Sequence, residues 1–256
     1  MTFKNKTVFI TGASSGIGAA CAKYFAQANA KLLLCARRLD ILQSMTVQLQ
    51  NAYGIEIYPF QLDVSNHDEV KSIFSSLPQA WKDIDILVNN AGLAAGFDPI
   101  QNGDINDWEA MINTNVKGLL YVTRETLPQM IVKNSGHIIN IGSIAGHQVY
   151  PNGAVYCASK YAVKALSEGL RMDLLGTKIR VSSVDPGAVE TNFSLVRFKG
   201  DSKRAETVYQ GIEALSANDI ADAVFYCATR PPHVNISELI IMPTDQASAT
   251  LISRKS

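Results

Sequence analysis

Residues Thr7–Gly18 read TVFITGASSGIG. TVFIT is uncharged and rich in β-branched and aromatic side chains, the pattern of a buried strand. Three glycines then follow, Gly12, Gly16 and Gly18, and the apolar spacing beyond them becomes helical through about Ala28. Strand, glycine loop and helix in this order make a dinucleotide cradle. Gly12 permits the tight turn, Gly16 lets a phosphate approach the backbone, and Gly18 lets the helix pack closely. The N–H groups around Ile17 at the helix start and the hydroxyls of Ser14 and Ser15 are suited to a pyrophosphate. The competing reading is a tight turn that holds no ligand.

Outward from this stretch, strand-like and helix-like segments alternate. KLLLCA, IEIYPFQLD, IDILVNN, HIINIGS, KIRVSSVDPG and ISELIIMP read as strands, and most are continuous apolar runs, as when both sheet faces are covered. Helices are expected over Leu39–Leu49, over a segment capped by Ser65, over Trp108–Lys133 with a kink or break at Pro128, over Ala154–Leu175 and over Asp219–Thr229. The alternation predicts an α/β chain: one Rossmann-like, doubly wound domain over 1–256 with a seven-stranded, mainly parallel sheet. Ligands of such sheets sit beyond the carboxyl ends of the strands.

Composition narrows the function. Lys plus Arg and Asp plus Glu are both 23, so no global field draws the chain to nucleic acid or to an anionic membrane. No apolar run is long enough to span a bilayer, and the N-terminus has no secretory pattern. Cys21, Cys35, Cys157 and Cys227 are scattered, as in a reducing cytoplasm, and the four histidines show no metal-ligand spacing, so no metal is expected.

The second strand ends in Arg37 and Arg38, 19 and 20 residues beyond Gly18, where an NAD-binding chain places an acid. Two guanidiniums there favour a 2′-phosphate and hence NADP(H). Asp63 and Val64 after the third strand suit adenine contacts, or Asp63 caps the next helix. Asn90, Ala91 and Gly92, in NNAG after the fourth strand, would let a cofactor lie against the backbone, or form a turn.

Tyr156 and Lys160 stand four apart on a predicted helix and so share a face. An ammonium beside a phenol favours the phenolate. Lowering the phenol by about 3 pH units requires about 4 kcal/mol. Ser143, at a neighbouring strand end, could hold the same substrate oxygen.

TGxxxGIG, NNAG, the strand-end serine and YxxxK, in this order, resemble the short-chain dehydrogenase/reductase family over essentially the whole chain. The resemblance implies a catalytic set of Asn115, Ser143, Tyr156 and Lys160, with Asn113 the competitor for the asparagine role. Asn115 would bind a water that relays protons. Tyr156 and Lys160 would also touch the cofactor, as would Pro186, Gly187, Val189 and Thr191 of DPGAVET. Runs such as LCARRLDIL and NFSLVRFKGD are similar to one subgroup, NADP-dependent dehydrogenases of 3-hydroxy acids such as serine and allo-threonine. The alternatives are a broader reductase of ketones, aldehydes or 3-oxoacyl compounds, and a dinucleotide-binding sensor without turnover. The segment at about 190–217 is expected to be a substrate lid, with Arg197 or Lys199 meeting the substrate carboxylate or forming a surface pair. His147 is a substrate contact or a wall. The resemblance also implies a homotetramer joined by the two long helices and the last strand region. The last residues, DQASATLISRKS, would touch a partner or fray.

Overall fold

The computed structural model describes residues 2–255. Its elements alternate as β1 (Thr7–Thr11), α1 (Gly16–Gln27), β2 (Lys31–Ala36), α2 (Leu39–Tyr53), β3 (Ile57–Gln61), α3 (His67–Ser76) and β4 (Ile86–Asn89). The second half runs α4 (Ile105–Ile112), α5 (Leu119–Val132), β5 (Gly136–Ile141), α6 (Ala154–Asp173) and β6 (Ile179–Pro186). Then come β7 (Val189–Glu190), α7 (Phe193–Arg197), α8 (Ser202–Thr207), β8 (Leu215–Ser216), α9 (Ala217–Thr229) and β9 (Glu238–Ile241). The seven-stranded sheet has the order β3-β2-β1-β4-β5-β6-β9, with every neighbouring pair parallel. The order reverses between β1 and β4, and that switch point opens a crevice beyond their carboxyl ends.

Alternation along the strands divides the core. Val8, Ile10, Leu32 and Leu34 pack with Phe25 of α1 and Val224 of α9 on one face. Phe9, Leu33, Leu87 and Ile138 pack with Val70 of α3 and Val122 of α5 on the other. All are buried, which explains the unbroken apolar strands.

Local chemistry moved several boundaries. Asn66, not Ser65, caps α3, its side chain accepting from the Glu69 N–H. The long helix expected over 108–133 begins at Ile105 behind an Asp104 cap, and Pro128 does not break it. The residue whose carbonyl loses its donor there, Arg124, is exposed, so water can replace the missing N–H. The interruption lies at Asn113–Gly118, which forms a π-helical turn. The segment around 190–217 begins and ends in a two-residue parallel ladder, Val189↔Leu215 and Glu190↔Ser216. The tail after Pro243 folds back: Gln246 accepts the Ala188 N–H at 2.8 Å, and the Arg254 guanidinium donates to the Val208 and Gln210 carbonyls.

Candidate active site

Thr11 ends β1 with its hydroxyl accepting the N–H groups of Asn90 and Ala91, at 3.1 and 2.9 Å. The Asn90 amide donates to the Thr11 and Gly12 carbonyls. These bonds hold the NNAG turn against the glycine loop. Gly12 has φ +63°, and a Cβ there would lie 3.0 Å from the Ala91 backbone. A Cβ on Gly18 would meet the Gly12 carbonyl oxygen at 2.4 Å. The third glycine therefore packs α1 against its own loop rather than against the sheet.

The loop fits an anionic dinucleotide. Among the described residues, no side chain caps the first N–H groups of α1, so those donors face the crevice. Arg38 reaches the Ser14 and Ser15 hydroxyls at 3.4 and 3.2 Å, drawing a guanidinium over the same loop. Asp40 lies in the first turn of α2, leaving the end of β2 to the two arginines. Asp63 takes the Ser65 N–H and hydroxyl on one carboxylate oxygen, the helix-entry role, and also lines the crevice.

The crevice is a single cavity of about 1350 Å³. Among the residues singled out from sequence as catalytic, cofactor-binding or substrate-binding, all line it except Gly18, Asn115 and its competitor Asn113, His147 and Lys199. Asn115 lies behind the wall and is 2% exposed. Its amide donates to the Leu93 carbonyl and to the Ser159 hydroxyl, and its oxygen accepts the Leu93 N–H at 2.8 Å. Both amide hydrogens are engaged, so this side chain fixes the segment after NNAG. His147, read from sequence as a substrate contact or a wall, is absent from the lining. Instead its Nε2 lies 2.8 Å from the Asp185 carboxylate, with Lys164 Nζ 3.2 Å from Nδ1. That buried ion partner holds the ring out of the cavity lining.

Ser143 stands two residues beyond β5 and caps the short turn Ile144–Gly146 by accepting the Ala145 N–H. Its hydroxyl donates to the Pro186 carbonyl at 3.5 Å, and it lines the crevice together with the Tyr156 phenol. Tyr156 and Lys160 share one face of α6, with Lys160 Nζ 5.9 Å from the Tyr156 ring centre and donating to the Ile141 carbonyl at 2.9 Å. The expected lowering of the phenol is not met. Burial raises it well above its ordinary value, against opposing pulls from Ser143 and the Arg197 guanidinium. Burial also pushes Lys160 down to about 8, opposed by Asp185. The apolar wall around both groups favours their neutral forms.

Of the two lid cations, Arg197 enters the cavity. Its guanidinium lies 5.0 Å from the Tyr156 ring and 5.3 Å from Phe97, and donates to the Tyr150 hydroxyl. Among the described residues its Nε is buried without a partner. Lys199 lies outside the lining and pairs with Asp104 and Asp107 at 3.3 and 3.0 Å. Sequence reasoning missed Tyr150, Phe97, Phe193 and Gln246, all of which line the cavity. No motif marks them, because they come from two loops, the start of α7 and the tail.

A family model described as short chain dehydrogenase matches residues 6–201. The chain belongs to the short-chain dehydrogenase family. The NADP-dependent 3-hydroxy acid dehydrogenase YdfG of Shigella flexneri is 47% identical over 245 residues, covering 95% of this chain and 97% of that one. A sulfoacetaldehyde reductase of Chromohalobacter salexigens is also 47% identical, over 241 residues and 94% of each chain. Among solved structures, the closed form of a serine dehydrogenase complexed with NADP+ superposes with a TM-score of 0.91 at 45% identity, covering 98% of this chain and 100% of that one. As a short-chain dehydrogenase, the chain keeps the tyrosine, lysine and serine together at the switch-point crevice. Among the described residues no helix is long and apolar enough to cross a membrane.

Proposed function

We propose that this protein is an NADP-dependent oxidoreductase acting on the hydroxyl-bearing carbon of a small 3-hydroxy acid such as serine, allo-threonine or 3-hydroxypropionate. The observation that carries the substrate class is Arg197. A guanidinium whose Nε has no partner among the described residues stands over the ring of Tyr156, so an anionic end can be clamped while the hydroxyl meets the phenol. The dehydrogenase and serine dehydrogenase relatives support the same reading.

The cofactor, when bound, supplies the hydride acceptor or donor, and in its oxidised form brings a positive charge to the pocket. Arg37 and Arg38 would hold a 2′-phosphate, and the α1 N-terminus with Ser14 and Ser15 the pyrophosphate. Ser143 holds the substrate oxygen. Tyr156 takes the hydroxyl proton on oxidation and returns it on reduction. Lys160 holds the ribose and offsets charge at the phenol. The 190–217 segment acts as a lid that excludes water around Arg197. We further read the protein as a cytoplasmic homotetramer joined through the two long helices and the last strand region; exposed Val132 of α5 and Met172 of α6 offer apolar surface.

The test is a paired screen with NADP+ and NAD+ against L-serine, L-allo-threonine, 3-hydroxypropionate, 2-hydroxyethanesulfonate and neutral alcohols. The hydroxy acids with NADP+ should give the highest kcat/KM. The sulfoacetaldehyde reductase relative favours a second reading, since Arg197 would also clamp a sulfonate; turnover of the sulfonate alone would establish it. Reduction of neutral ketones with no acid preference would point to a broader carbonyl reductase. Absence of turnover with tight NADPH binding would point to a sensor.

A further inference from the structure

Behind the crevice lies a cluster that the proposed chemistry does not use. Asp185, in β6, is 2% exposed. A Cβ built on Gly142 would sit 1.8 Å from its Oδ1, so the carboxylate fills the space that glycine leaves open. Ser183 donates its hydroxyl to that oxygen. The other oxygen lies 2.8 Å from His147 Nε2, and Lys164 Nζ lies 3.2 Å from Nδ1. An ammonium can only donate, so Nδ1 accepts and Nε2–H donates to Asp185. The donor atoms of His147, Asp185 and Glu238 lie within 4.8 Å of one another. A metal cation there would have to displace both Lys164 and the ring proton, so the arrangement is a hydrogen-bonded charge cluster.

The cluster adjoins the catalytic helix. Gly142 directly follows Ile141, whose carbonyl takes the Lys160 ammonium. Lys160 and Lys164 are one helical turn apart on α6, and both are directed at the ends of β5 and β6. A buried carboxylate needs a compensating cation. Asp185 favours the charged form of Lys160 against burial. The charged and titratable groups facing this lysine or its cluster are Tyr156 beside it and Lys164 one turn on, Asp185 on β6 with His147 after β5 and Glu238 on β9 around that carboxylate, and Arg197 on α7 over the Tyr156 ring.

We propose that Asp185 is a positioning residue: its carboxylate, tied by His147 and Ser183 behind Gly142, is the counter-charge that keeps the Lys160 ammonium in place for the cofactor ribose. This rests on the reading of Lys160 as the ribose-holding lysine. Asp185 acts through Lys160 and touches no reacting atom.

The test follows the lysine itself. Protein labelled with ¹³C at lysine Cε is titrated by NMR without added cofactor, with the Lys160 resonance assigned by its loss in Lys160→Arg. The wild-type midpoint should lie near 8. In Asp185→Asn, which keeps the shape and, with its amide oxygen turned to His147, the bond from Nε2–H, it should fall by about one pH unit. Asp185→Ser, which relieves the contact with Gly142, should shift it the same way. An unmoved midpoint in either variant with wild-type circular dichroism overturns the proposal. Failure of both variants to fold would make the carboxylate a structural keystone and overturn it too. NADPH affinity, followed by its fluorescence from pH 6 to 9, separates the two readings. In Asp185→Asn the loss of affinity at high pH should begin about one unit earlier. A moved Lys160 midpoint with pH-independent NADPH affinity would instead refute the ribose role of Lys160.

Discussion

Replacing Lys160 with methionine should make the protein more stable while removing its activity. The side chain is 7% exposed, and burial lowers its ammonium from the ordinary 10.5 to about 8. At pH 7 the folded state holds a proton that the unfolded state binds more tightly, so the buried charge costs about 3 kcal/mol. Methionine removes that cost and fills a similar volume. The lost bond to the Ile141 carbonyl returns about 1 kcal/mol. The net gain is about 2 kcal/mol at pH 7, or about 4–8 °C in Tm for a chain of this size. The sign with pH follows from linkage. A lysine lowered by folding contributes full stability only above its unfolded value and loses it as pH falls through the folded value. The wild-type cost should therefore shrink to about 1 kcal/mol at pH 10, and the two proteins should converge there. Urea unfolding of both, without NADPH, at pH 7, 9 and 10 measures this. A variant less stable at pH 7, or a gap that does not narrow with pH, would refute the account of the buried ammonium.

Four further outcomes are expected. Tyr156→Phe should bind NADPH nearly as tightly as wild type by fluorescence titration, with kcat lowered about 10²–10⁴-fold; comparable turnover would remove the tyrosine from proton transfer. Arg197→Met should raise KM for a hydroxy acid about 10–100-fold and leave that of a neutral alcohol nearly unchanged, as the loss of a charge-assisted bond requires. Arg38→Asp should weaken NADPH about 10–100-fold and spare NADH, measured as the ratio of their dissociation constants. Gly18→Ala places a carbon against the Gly12 carbonyl, so chemical denaturation should show a loss of about 1–3 kcal/mol, with weaker cofactor binding.

Much of the fold was legible because most of its signals are local. Continuous apolar strands, a glycine loop and alternating elements each reflect burial or backbone freedom within a few residues, and the parallel sheet follows from them. The π turn at Asn113–Gly118 was hidden because its apolar spacing is that of an ordinary helix, while its cause lies in bonds from Asn115 to Leu93 and Ser159. Pro128 looked like a break, but it sits where Arg124 is wet. The choice of Arg197 over Lys199 depended on Asp104 and Asp107, about ninety residues earlier, which draw the lysine away. His147 was misplaced for the same kind of reason: its partner, Asp185, is 38 positions later.

Helix α6 presents Tyr156, Lys160 and Lys164 at every fourth position. Because each residue turns the helix by about 100°, an amino acid inserted between the tyrosine and the first lysine would swing both lysines out of register with the phenol at once. The spacing works as a fixed ruler. Changes in substrate preference are therefore free to accumulate in the lid and the tail, while insertions and deletions within this one rod are not.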